Sequence, residues 1–200
     1  MRVKTDEKRD EILATAAEVF REQGYERASM AMISARLGGS KSTLYGYFQS
    51  KAELFVEVAL EAGRKEVGDA IADLTLAKGD LRGTLIHFSK RYVDFLVSER
   101  LIAMQRTVIG EAGQSDIGRR FFDAGPRQAY RHVQAFFEEA MRAGALKQGD
   151  AELAAHHFLS LIHAETLLPA LFGAPPPMRR THDIVSDAVD LFLTAQAPRA

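Results

Sequence analysis

The sequence predicts an all-α fold of about nine helices, arranged as a small N-terminal part followed by a larger C-terminal part. Three observations carry this reading. Apolar residues recur at three- and four-residue intervals along most of the chain, and no convincing run alternates with the period of a strand. Glycine, proline and capping serine, threonine and aspartate residues cut the chain into helix-length pieces. The pieces are short up to about residue 50 and mostly longer beyond it.

The first helix is expected from about Asp6 to Gln23, with Ile12, Leu13, Ala16, Ala17 and Phe20 on one face and Gly24 as its stop. Ser29 reads as the N-cap of a short helix from Met30 to Leu37, and Gly38-Gly39 turns the chain. Ser40 reads as the next N-cap, opening Lys41 to Phe48. Ser50-Lys51-Ala52-Glu53 fits a capping box, in which the Ser50 hydroxyl and the Glu53 carboxylate each satisfy an orphan amide. The helix that follows buries Leu54, Phe55, Val58 and Ala62. After Gly79, Asp80 caps a helix carrying Leu81, Leu85, Phe88, Tyr92 and Phe95. Another helix follows from about Glu99 to Ile109, and a short one near Arg119 to Asp123. Pro126 suits the first position of the next, which Gly144 closes. Asp150 caps a long helix to about Leu171 that Pro169 should bend in its last turn. Pro175-Pro176-Pro177 forms a stiff connector, and Thr181 caps a last helix bearing Ile184, Ala188, Val189 and Phe192.

Composition excludes several classes. The 200 residues contain no cysteine, so disulfides, thiolate zinc sites and thiol catalysis are absent, which suits a cytoplasmic protein. No apolar run reaches the roughly 18 residues of a membrane span. The charged N-terminus, Met1 to Glu7, has no secretory signal pattern. No nucleophile elbow, phosphate loop or dinucleotide fingerprint is present, so no enzyme activity and no cofactor are expected. Net charge is −1, but residues 1–51 hold nine Lys/Arg against seven Asp/Glu, and Arg36 to Lys51 holds three cations and no acid. Phosphate contacts need only local positive charge.

The chemistry concentrates between Ser29 and Lys51. Two helices of about eight residues joined by Gly38-Gly39 fit a helix-turn-helix. Such a unit lays its second helix in the DNA major groove while the first braces on the backbone. Ile33, Leu37, Leu44 and Phe48 can pack the pair inward, leaving Lys41, Ser42, Tyr45 and Tyr47 partly or wholly outward. Ser29, Ser40 and Lys51 stand at helix starts, where a hydroxyl, free amides or an ammonium can meet a phosphate. Thr43 and Gly46 complete the surface set. The competing reading makes Tyr45 and Tyr47 half-buried packing residues.

The run from Ile12 to Phe20, then Gly24-Tyr25, Ser29 to Ile33, Gly38 to Phe48 and Lys51 to Phe55, resembles the TetR family. The portion Thr43-Leu44-Tyr45-x-Tyr47-Phe48-x-x-Lys51 is the most distinctive. The resemblance covers about residues 8–60. It departs from the usual pattern at Gly39, Ser42 and Gly46. More weakly, Gly125-Pro126, Gly144-Ala145-Leu146, Asp150 to Phe158 and Phe172-Gly173 are similar to the AefR-like branch. The resemblance implies a bacterial, DNA-binding transcription regulator: a three-helix helix-turn-helix domain over 1–55, then an effector-binding and dimerisation domain over 56–200. It implies a homodimeric repressor on a palindromic double-stranded operator, released by a small apolar or amphipathic effector. Activation, or an answer to a protein partner, is the alternative.

The same resemblance places the dimer contact on the last two helices. Leu153, Phe158, Leu159, Leu161, Ile162, Leu167 and Leu168 cover more than one face of their segment, as a helix facing both a core and a partner would. The candidate lining of an effector site is His87, Tyr92, Phe95, Met104, Phe136 and Phe137, with His163 and Glu165 as polar anchors. Core packing is the alternative for each. A His-based metal enzyme is the remote alternative, raised by His156, His157 and His163. Against it, His157 lies roughly 100° round the helix from His156 and no His-Glu-x-x-His spacing occurs, so no metal site is expected.

Overall fold

The computed structural model describes residues 5–76, 79–113 and 115–198, without the side chains of 62 and 64–66. The expected burial of Ala62 therefore lies outside the described residues. Among them the chain forms eleven helices and no strand. It divides into two compact units, Met1–Ala62 with Thr107–Phe122, and Gly63–Arg106 with Asp123–Ala200.

The first unit holds α1 (Asp6–Arg27), α2 (Met30–Arg36), α3 (Lys41–Tyr47) and the start of α4 (Lys51–Ala72). It also takes in the end of α6 (Glu99–Glu111) and most of α7 (Ile117–Ala124). The Thr5 hydroxyl caps α1 by accepting from the Lys8 amide at 3.3 Å, and Asp6 and Glu7 favour its positive end. Ile12, Leu13, Ala16, Val19 and Phe20 form the buried stripe of α1. Gly24 breaks the regular helix at φ 73°, as expected, but one further turn to Arg27 follows the kink. Phe55 of α4 closes this core, its ring 5.0 Å from Phe20 and 4.8 Å from Tyr25.

The second unit holds α5 (Leu81–Leu96), α8 (Pro126–Arg142), α9 (Ala151–His163), α10 (Leu167–Phe172) and α11 (Thr181–Ala195). Asp80 and Asp150 cap α5 and α9, accepting from the amides of Gly83 at 2.8 Å and Leu153 at 3.0 Å. Pro126 opens α8 where its missing N–H costs nothing. Four of these helices each send one phenylalanine to a common centre: Phe88, Phe137, Phe158 and Phe192. Phe137 lies 4.9 Å from Phe192 and 5.4 Å from Phe158, and Phe158 lies 5.0 Å from Phe192. Where α4 passes α5, a Cβ on Gly63 would fall 2.2 Å from the Phe95 ring, so glycine sets that approach.

The helix expected from Asp150 to Leu171 is two helices, broken at 164–166. Pro169 has no amide for the Glu165 carbonyl, and its ring crowds that carbonyl. The chain resolves this one turn early. Ala164 and Thr166 turn back to Leu161 and His163 with tight three-residue bonds, and Pro169 then sits in the first turn of α10. This break, with the short α7 counted separately, brings the number of helices to eleven. Thr181 is the first residue of α11 rather than its cap; Arg180 stands at the cap position and pairs with Asp183 at 3.0 Å. No helix among the described residues is long and apolar enough to cross a membrane.

Phe158 is fully buried and touches three of the other rings, which fixes a prediction. Phe158→Ala should cost about 3–5 kcal/mol of unfolding free energy, from lost transfer energy and the cavity left behind. Equilibrium denaturation of the variant, followed by far-UV circular dichroism, measures this.

Candidate nucleic-acid interface

The exposed face of α3 is built from its caps and its anchor residues. Ser29 opens α2 by accepting from the Met32 amide at 3.2 Å. Gly38 ends it with φ 62°, a left-handed conformation that glycine adopts without strain. The buried Ser34 hydroxyl donates to the Gly39 carbonyl at 3.1 Å, so the turn is pinned where its sequence is most permissive. Ser40 then caps α3. Its hydroxyl accepts from the Thr43 amide at 3.2 Å and lies 2.8 Å from the Ser42 hydroxyl and 3.0 Å from that of Thr43.

Leu44 and Phe48 anchor the inner side of α3 at 1% and 2% exposure. The opposite side presents Lys41, Ser42, Tyr45 and Gly46, all exposed. The two tyrosines take different roles. Tyr45 is 49% exposed and projects from the outer face. Tyr47 is half-buried, and its phenolic oxygen accepts from the Thr5 amide at 2.9 Å, tying the start of α1 to the end of α3. Thr43 is half-buried beside the cap.

Lys51 stands at the head of α4, as expected, but its ammonium turns inward. It donates to the Tyr25 carbonyl at 2.9 Å and the Glu26 carbonyl at 3.3 Å, and lies 4.2 Å from the centre of the Tyr25 ring. These are carbonyls that the last turn of α1 leaves unsatisfied, and a lysine is a fitting donor to them. The capping box beside it forms: Ser50 accepts from the Glu53 amide at 3.0 Å, and Glu53 reaches back to the Gln49 amide at 2.6 Å. Arg36 is also engaged, with Glu22 at 2.7 Å, and that guanidinium holds the Glu22 carboxyl below its ordinary range.

Glu111, at the end of α6, belongs to this unit. Its carboxyl is pushed up by a hydrogen bond with Glu26. Burial raises the Tyr25 phenol, with smaller contributions from Glu111, Glu26 and Asp116. Residue spacing gave no sign of this group, because its members are far apart along the chain.

The candidate effector residues scatter. Tyr92, Met104, Phe136 and Phe137 are buried, and Phe95 and His163 are half-buried. Burial pushes the His163 imidazole below its ordinary 6.5. His87 and Glu165 lie at the surface, paired with Asp73 at 3.0 Å and Arg179 at 3.3 Å. A groove of about 300 Å³ runs on the second unit between α9 and α11, lined by His157, Leu161, Leu191 and Phe192 among others. His156 stacks on Tyr130 at 4.3 Å, and no group of three His, Asp or Glu among the described residues could hold a metal ion.

A short exposed helix, capped by serine and braced across a glycine turn by a second helix, defines a helix-turn-helix DNA-binding protein. Residues 12–58 match the bacterial regulatory proteins of the tetR family, and residues 83–198 match the AefR-like transcriptional repressor C-terminal domain. The chain belongs to the TetR family and is a DNA-binding transcriptional regulator rather than an enzyme. Over 57 residues, 28% of the chain, it is 46% identical to the HTH-type transcriptional activator FasR of Mycolicibacterium smegmatis. It spans only 26% and 38% of the lengths of the first curated relatives it matches. Solved structures match throughout. The flavonoid-responsive regulator FrrA is 30% identical with a TM-score of 0.78, covering 98% of this chain and 100% of FrrA. A TetR-family regulator from Mesorhizobium loti MAFF303099 is 25% identical with a TM-score of 0.80, covering 97% and 100%.

Lys51→Met removes a charged donor from two carbonyls and a cation from the Tyr25 ring. It should cost about 1–3 kcal/mol. A thermal melt of the variant, with hydrogen exchange at the amides of α1 and α4, checks both size and location.

Proposed function

We propose that this protein is a repressor that binds a palindromic operator as a homodimer and leaves it when a small apolar or amphipathic molecule binds the second unit. The single observation behind the DNA reading is the division of α3 into an anchored side, Leu44 and Phe48, and an exposed side, Lys41, Ser42, Tyr45 and Gly46. Lys41 and the hydroxyls of Ser40, Ser42 and Thr43 suit phosphate oxygens and base edges. Tyr45 offers both a ring and a hydroxyl. Tyr47 accepts from the Thr5 amide and so holds the end of α3 against the start of α1. Ser29 stands at the head of the bracing helix, while Lys51, with its ammonium on the carbonyls of α1, drops out of the phosphate-contact set.

Exposed apolar residues on α9 and α11 support the dimer reading. Leu153 is 51% exposed and Leu191 59%, on the two helices that border the groove. Two-fold pairing there would set two recognition helices about 34–36 Å apart, or a multiple of that, to meet successive major grooves. Duplexes recovered from a randomised pool should form a palindrome. Lys41→Ala and Tyr45→Ala should each weaken binding to it by about 1–3 kcal/mol. The pair Leu153→Glu and Leu191→Glu should sediment as a monomer and lose the operator. Intact affinity in both α3 variants would remove α3 from the reading, and a monomeric parent protein would remove the dimer.

For the effector, the aromatic interior of the second unit and the similarity to a flavonoid-responsive regulator support an apolar or amphipathic molecule. Tyr92, Phe95, Met104, Phe136, Phe137 and His163 are the residues to test as its lining, with His87 and Glu165 at the surface. The AefR-like repressor domain, matched over residues 83–198, supports repression over the activation named for FasR, whose match covers only 57 residues. A ligand shifts the equilibrium only by its differential affinity for two states. Operator DNA must then weaken ligand binding by the factor with which ligand weakens operator binding, about 5–150-fold. Titrating a flavonoid with and without the selected duplex tests this, and equal flavonoid affinities would rule out coupling for that class.

A further inference from the structure

Gly46 is a glycine for which the molecule itself has no use. It lies inside α3 without the positive φ that Gly24 and Gly38 adopt. A Cβ built on it meets nothing within 4 Å, whereas one on Gly63 or Gly118 would strike a neighbour at 2.2 Å or 2.8 Å. Neither backbone conformation nor packing therefore calls for glycine. Local stability argues against it, because glycine inside a helix is less favourable than alanine, and α3 has only seven residues. Gly68 in α4 and Gly110 in α6 are equally open, but in longer helices; at Gly46 the cost falls on the seven-residue helix whose exposed side is read as the DNA face.

Ser42, Tyr45 and Gly46 lie on the exposed side of α3, with Ser42 and Gly46 four residues apart on one helix face. Gly46 falls in the last turn of α3 and leaves its backbone bare beside Ser42 and Tyr45. A helix with its side chains is about 10–12 Å across, and the major groove of B-DNA is about 12 Å wide. The fit has almost no slack, so the distance from helix backbone to base edges depends on the side chain that points inward.

We propose that Gly46 is a clearance residue that sets DNA specificity: with no side chain there, the backbone of α3 seats directly against the floor of the major groove. The base pair opposite Gly46 is then selected by shape, and Ser42 and Tyr45 on either side reach edges they would otherwise miss. This rests on the reading of α3 as the recognition helix. It adds that stability and DNA affinity oppose each other at this one position.

Gly46→Ala and Gly46→Gln, in the full chain, test it against the duplex recovered by the parent protein from a randomised pool. Lys41→Ala and Tyr45→Ala serve as controls. Gly46→Ala should raise Tm by about 2–4 °C and lower affinity for the duplex by about tenfold or more. Gly46→Gln should lower affinity further, since the larger side chain holds the helix further out. A fresh selection with Gly46→Ala should lose the preference at the base pair opposite. The proposal fails if Gly46→Ala binds within about twofold of the parent, if Tm does not rise, or if the glutamine variant binds as well as the alanine one. Should the two controls lose affinity while Gly46→Ala does not, the recognition-helix reading stands and the clearance idea alone falls. Intact binding in the controls as well would overturn the recognition-helix reading itself.

Discussion

Seven residues cannot hold a helix in water, and α3 has seven. Nucleating one turn fixes about six dihedral angles for a single hydrogen bond, so an isolated helix of this length is coil. The reading head is organised around this constraint. Leu44 and Phe48 bury one side of α3, and each buried side chain of this kind contributes about 1.5–3 kcal/mol. Ser40 satisfies the Thr43 amide at the front, Phe48 bonds back to Leu44 at the rear, and Tyr47 is tied to the start of α1. Ser34 fixes the preceding turn from inside. The helix exists because the head holds it from several sides, which leaves the outer face free to be chosen for DNA.

The second unit depends on the opposite device, a filled centre. Phe88, Phe137, Phe158 and Phe192 come from four helices and leave little room among themselves. This bears on where an effector can sit. A ligand against Phe137 would have to open the ring cluster, at the cost of the contacts that hold α8, α9 and α11. Half-buried groups such as Phe95 and His163 demand less rearrangement. The chain passes from one unit to the other within α4, α6 and α7, each of which begins in one unit and ends in the other. Any signal carried by the backbone runs through these three helices.

Much of this was legible in the sequence because it is local. Caps at Ser29, Ser40, Asp80 and Asp150 follow from hydroxyls and carboxylates placed just before apolar periodicity, and the structure forms each of them. The tetR-type reading head was legible from the spacing of Thr43, Leu44, Tyr45, Tyr47, Phe48 and Lys51. What escaped is what depends on partners distant in sequence. Nothing near Lys51 announces that its ammonium closes the end of α1, nor does Glu111 announce Glu26. The sequence predicts only a bend at Pro169, whereas the helix breaks one turn earlier, because proline removes a bond to a residue four positions before it and the chain yields there. The tether made by Tyr47 was not legible either, since its partner is the backbone of Thr5.

Charge placement ties these observations to the function. Of the three cations in the acid-free interval from Arg36 to Lys51, Arg36 faces Glu22 and Lys51 faces carbonyls. On the described face that leaves Lys41 beside a cluster of hydroxyls and one tyrosine. Each cation that neutralises a phosphate adds about 0.9 to the slope of log affinity against log salt, whereas neutral donors add almost nothing. A face with one lysine and several hydroxyls therefore gains little from bulk electrostatics and depends on close fit. That is consistent with a net charge of −1, and with a helix whose exposed side is kept small by serine and glycine. On the proposed docking of α3, close approach would supply contacts that charge does not, and the firm hold of the head on so short a helix is what such an approach requires.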